Sequence, residues 1–115
     1  MDQPIPNVSR SDVERIARHD FGPAEADRAM AVLDEYQSES SDRSRVQLAV
    51  LKLAAGNLQL LRRHMEIAKN DYRDVITAAE YPRFSREIGF SPVPDSLRQD
   101  VIDDDWRQYE HWLRR

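Results

Sequence analysis

Residues 46–84 of this 115-residue chain, VQLAVLKLAAGNLQLLRRHMEIAKNDYRDVITAAEYPRF, constrain its fold more than any other stretch. Two runs of apolar residues at helical spacing flank the pair Gly56-Asn57. Glycine suits the left-handed residue that closes one helix, and asparagine caps the start of the next. So short a connection folds the two helices back on each other as an antiparallel αα-hairpin. The first of them, about 43–55, is apolar nearly all round, interrupted only by Gln47 and Lys52, which places it in the middle of a domain. The second, about 58–80, carries Leu58, Leu61, Met65, Ala68, Tyr72, Val75 and Ala79 at alternating spacings of three and four. That is the seam of one continuous rod, ~34 Å long at ~1.5 Å per residue, packed along its whole length. Pro82 ends it, because its ring clashes with the preceding turn.

The flanks add helices to this hairpin. Residues 1–10 hold two prolines and little apolar content and read as a flexible arm. The S-x-x-E pattern of Ser11 and Glu14 predicts a capping box and the start of a helix that Gly22-Pro23 terminates. Pro23 then opens a second helix to about Gln37, and residues 38–42 form a polar connection offering Ser41 or Asp42 as the next N-cap. Residues 83–95 read as a loop in which Phe84, Ile88 and Phe90 are anchors. A C-terminal helix over 96–114 is signalled by a second capping-box pattern at Ser96 and Gln99, with a break expected near Asp103–Asp105. The expectation is an all-α single domain over 11–115, four to five helices organised around the central hairpin.

Hydrophobic residues are 40% and charged residues 33% of the chain, a balance that can fold around one modest core and is too polar for a membrane span. Cysteine is absent, which removes disulfides, thiolate metal sites and cysteine nucleophiles and suits a reducing cytoplasm. With no basic segment followed by an apolar one at the N-terminus, neither an export signal nor a membrane anchor is expected. The net charge of −4 is unevenly spread: residues 42–73 carry +4, while the segments before and after carry −5 and −3. Such asymmetry can mark a nucleic-acid footprint, yet acidic flanks packed beside a basic centre explain it as well.

Few residues suggest chemistry. His19, His64 and His111 lie far apart, with no acidic or histidine partner at a spacing that builds a metal site. Asp103-Asp104-Asp105 lacks the spaced oxygens and glycine of a calcium loop. The three glycines form neither a phosphate-cradling loop nor a nucleophile elbow, so no catalytic residue, metal or cofactor is expected. Recognition is better supported. Trp106, Tyr109, Trp112 and Leu113 give the C-terminal helix a wide aromatic arc, suited to docking on its own domain or to serving as a protein-interaction hot spot. Arg62, Arg63, Lys69 and Arg73 form the alternative, a basic nucleic-acid face, although Glu66 interleaves with them in the manner of surface ion pairs.

The pattern LAVLKLAAGNLQLL…DYRDV…AEYP, together with the distal DDDWRQYEHWL, resembles a family of small bacterial helical proteins to which no activity is assigned. The resemblance spans residues 11–84 and the C-terminal tryptophan motif; it implies bacterial origin and transfers no functional residue. The expected role is therefore a non-catalytic protein–protein interaction or regulatory accessory protein in the cytoplasm, in one form a homodimer through the long helix or the C-terminal helix. A nucleic-acid-associated module is the alternative and a small enzyme the third reading.

Overall fold

The computed structural model describes residues 5–36, 42–89 and 91–114; of the positions named above, Gln37, Ser41 and Phe90 lie outside them. Among the described residues there are six helices and no strand: α1 (Arg10–Leu33), α2 (Arg43–Ala54), α3 (Leu58–Asn70), α4 (Tyr72–Glu80), α5 (Pro82–Glu87) and α6 (Asp95–Leu113).

The N-terminal boundary falls two residues earlier than expected. Ser9 is the N-cap, and its N–H donates to Asp12 Oδ2 at 2.9 Å, so the box Ser9/Asp12 forms in place of Ser11/Glu14. Starting there puts Arg10 inside the helix, where its guanidinium reaches Asp34 at 2.8 Å and Gln47 Oε1 at 3.2 Å. The two N-terminal helices are the halves of α1, separated by a non-helical Gly22 at φ 70°, after which Pro23 restarts the helix.

Helix α2 is the hub and packs against α1, α3 and α4. Every residue from Val46 to Leu51 is buried, Gln47 included. The hairpin turn forms where Gly56-Asn57 places it, with one refinement: Ala55 already takes the left-handed conformation at φ 50°, and Gly56 follows at φ 79°. Asn57 caps α3, its Oδ1 accepting from the Leu60 N–H at 3.0 Å.

The continuous rod over 58–80 is not observed. The chain breaks at Asp71, whose extended backbone (φ −154°) ends α3 while its side chain caps α4 by accepting from the Arg73 N–H at 3.1 Å. Asn70-Asp71 pairs two residues that favour caps over helix interiors, and here that local preference overrides the heptad pattern. Leu61, Met65, Ala68, Val75 and Ala79 reach the core as expected, whereas Tyr72, freed by the break, is 43% exposed.

The stretch read as a loop contains α5. Pro82 sits in its first turn, and its N-terminus is capped from a distance: Asp105 on α6 accepts from the N–H groups of Phe84 at 2.8 Å and Arg83 at 3.3 Å. Ile88 is buried and Phe84 partly so. Helix α6 starts at Asp95 and continues unbroken through Asp103–Asp105; its Ser96 box does not form, because the N-cap is Pro94 and Ser96 already lies inside the helix, and Gln99 Nε2 instead donates to Asp103 Oδ1 at 2.8 Å. No helix among the described residues is long and apolar enough to cross a membrane.

Among the described residues three polar side chains are buried in this apolar interior, and each joins two elements. Glu80 at the end of α4 takes a two-pronged contact from Arg45 on α2, at 2.9 and 2.8 Å. Gln47 on α2 donates to the Leu33 carbonyl at 2.8 Å, satisfying an acceptor that the end of α1 leaves free. Asp105 is the third, holding α5 to α6.

Candidate functional site

Of the four residues expected to form an aromatic interaction patch on α6, Tyr109 is wholly buried, while Trp112 and Leu113 are half-buried against the core. The rings of Tyr109 and Trp112 lie 5.5 Å apart and tilted by 39°, a favourable aromatic geometry. Arg15 on α1 donates to the Leu113 carbonyl and ties down the end of the helix. Trp106 is also half-buried. The arc thus serves chiefly to dock α6 on its own domain. Among the described residues the Tyr109 hydroxyl finds no hydrogen-bond partner, and burial, followed by the charge of Glu80, pushes its pKa well above the ordinary tyrosine value.

The four basic residues do not share one helix. Arg62, Arg63 and Lys69 are exposed on α3, but Arg73 lies beyond the Asp71 break on α4. Lys69 Nζ is held by Glu35 at 2.8 Å and Glu66 at 3.1 Å, hydrogen bonds that raise its pKa. Arg73 closes on Asp71 at 3.0 and 3.2 Å, which lowers the pKa of that carboxyl group. The acidic triplet of α6 is likewise divided: Asp103 meets Gln99, Asp104 bridges Arg83 and Arg107, and Asp105 caps α5. His19 and His111 are exposed; His64 is half-buried, its pKa lowered first by burial and then by Arg63. Among the described residues no group of His, Asp and Glu is placed to hold a metal ion.

The α3–α4 break creates a feature the sequence reading missed. Tyr36, Lys69, Tyr72 and Arg73 surround a cleft of about 470 Å³ at the elbow, with Ala68 and Asn70 completing its wall. Two tyrosines therefore flank a concavity whose cations are already matched by Glu35, Glu66 and Asp71. The signal that could have found it is Asn70-Asp71, read as a cap. Comparison with family models, with curated proteins and with solved structures gives no match for this chain.

Proposed function

We propose that this chain is a non-catalytic helical interaction module of the bacterial cytoplasm that engages a protein partner, in its simplest form a second copy of itself, at the elbow between α3 and α4. The observation that carries the reading is Tyr72, a large side chain left 43% exposed at the lip of a concavity when its neighbours along the seam are buried. Tyrosine beside arginine is a combination enriched where binding energy concentrates. The charge-balanced rim favours a protein segment over a polyanion, because Glu35, Glu66 and Asp71 would oppose phosphates at the same place that Lys69 and Arg73 attract them. The absence of cysteine supports the cytoplasmic part of the reading, and the DYRDV…AEYP pattern supports the bacterial part.

The test is sedimentation velocity from micromolar to near-millimolar concentration on the wild type and on Tyr72→Ala. A reversible dimer that weakens in the variant supports the homodimer; a monomer throughout overturns that form. The nucleic-acid reading gains from one observation, the pairing of Tyr36 and Tyr72 with Lys69 and Arg73, which is how single strands are stacked and neutralised. It fails if mixed single-stranded DNA and RNA show no binding at low salt, where phosphate contacts are strongest.

A further inference from the structure

The apolar rhythm of residues 58–80 runs unbroken across two helices that a single residue separates. Leu61, Met65, Ala68, Tyr72, Val75 and Ala79 recur at spacings of three and four, and Asp71 alone stands between the end of α3 and the start of α4. A chain that turns at Asp71 has no need to keep that phase, since the residues on either side belong to separate helices. A continuous rod does need it. The bend also leaves one member of the seam, Tyr72, outside the core. Neither glycine nor proline enforces the turn. It is held locally, by the Asp71 carboxylate accepting from the Arg73 N–H at 3.1 Å and by an exposed Asp71–Arg73 ion pair, a class of contact that contributes little.

Straightening at Asp71 would carry α4 away from its own α2. Helices α2 and α3 are antiparallel and 12 and 13 residues long, so the end of α3 lies level with the start of α2. The nine residues of α4 would project ~14 Å beyond that point. This uncovers Val75, Ile76, Ala79 and Glu80 on α4, and on α2 the Arg45 guanidinium that Glu80 now holds. The two uncovered surfaces already fit each other, so a second copy opened in the same way offers each its native counterpart. Helices α5 and α6 travel with α4, because α5 packs on α4 and α6 packs on both. Short hinges favour such an exchange.

We propose that Asp71 is the hinge of a domain exchange in which two copies of this chain swap α4–α6, each seating its α4 on the other's α2 while α3 and α4 join into one rod. The exchange goes beyond docking at the elbow. It uses the α2–α4 face rather than the lip of the cleft, and neither reading requires the other.

The decisive test is complementation between Arg45→Glu and Glu80→Arg. Alone, each variant buries two like charges against each other and should melt well below wild type. Refolded together from urea, an exchanged heterodimer sets Glu80 of the first against Arg45 of the second and the reversed pair on the other side. The expected product is a dimer in sedimentation that melts above both components. A dimer docked at the elbow restores neither pair, so a mixture that behaves as the sum of its parts overturns the exchange and leaves the docking reading standing. Two hinge variants supply a second measurement that does not depend on those charges. Asp71→Ala removes the cap from the bent form at both hinges, about fivefold each, so the refolded dimer should dissociate on the order of 30-fold less readily than that of wild type. Tyr72→Pro suits the first position of α4, after an Asp71 that is already extended, but proline there would break a rod. That variant should fold and stay monomeric. The proposal is also overturned if Asp71→Ala gives no dimer at near-millimolar concentration, or if Tyr72→Pro dimerises as well as wild type.

Discussion

Replacing Gly56 by alanine tests the reasoning about the hairpin turn most directly, because two separate costs can be assigned to one added methyl group. At φ 79° a residue with a Cβ pays the left-handed penalty, roughly 1–2 kcal/mol relative to glycine. The new carbon would also stand 2.9 Å from the Asp20 carbonyl oxygen, a backbone atom that cannot rotate away, so α1 and the turn must separate. Overpacking of that kind costs about 1–3 kcal/mol, and the two together roughly 2–5 kcal/mol. At ~2.1 cal/mol/K of unfolding entropy per residue, a domain of this size loses ~4 °C of Tm per kcal/mol, so Gly56→Ala should melt roughly 8–20 °C lower. Ala55→Gly is the control. It relieves left-handed strain at φ 50° but adds about 0.5–1 kcal/mol of unfolded-state entropy, so its Tm should stay level or rise by up to ~6 °C. Thermal unfolding followed by circular dichroism measures both. A Gly56→Ala protein that melts within ~2 °C of wild type, or an Ala55→Gly protein that melts well below it, would refute the account of this turn.

Three further outcomes follow from the buried polar groups. Glu80→Ala leaves the mostly buried Arg45 guanidinium without its partner and should cost about 3–5 kcal/mol in urea denaturation; a loss under ~1 kcal/mol would show that the pair is not shielded from water. Asp105→Ala should cost about 1–2 kcal/mol through loss of the α5 cap, and hydrogen exchange should show lost protection at the Arg83 and Phe84 amides ahead of the rest of the chain. Burial raises the Tyr81 pKa from 10.0 to about 12, and Tyr109 shifts in the same direction. The folded chain therefore keeps protons that the unfolded chain releases, so this stability is complete below pH 10 and declines as pH rises from 10 towards 12. Urea midpoints across that window should fall, less steeply in Tyr81→Phe, and a flat profile would contradict the assignment.

How much of this was legible in the sequence depended on how local the deciding interaction is. The α2–α3 hairpin could be read because its signals, an apolar run and Gly56-Asn57, are contiguous. The α3–α4 break was present in Asn70-Asp71 but masked by a seven-residue apolar rhythm that runs across it, and Tyr72 was assigned to the core as a result. Ser9/Asp12 and Ser11/Glu14 are overlapping capping signals of the same kind; what separates them is the reach of Arg10 to Asp34 and Gln47, which no local pattern encodes. Helix α5 was illegible because its cap is supplied by Asp105, more than twenty residues along the chain.

The three wired polar residues have an evolutionary corollary. Over time the aliphatic interior is free to exchange leucine, methionine and isoleucine so long as volume is kept. Positions 45 and 80 have no such freedom, since a lineage that loses one charge strands the other and must pass through a poorly folded intermediate or change both at once. Gln47 and Asp105 answer chiefly to main-chain groups, which side-chain substitutions other than to proline leave in place. Drift in this fold should therefore be fast in its grease and slow at a handful of inward-facing hydrophilic sites, the reverse of the usual expectation that polar positions vary first.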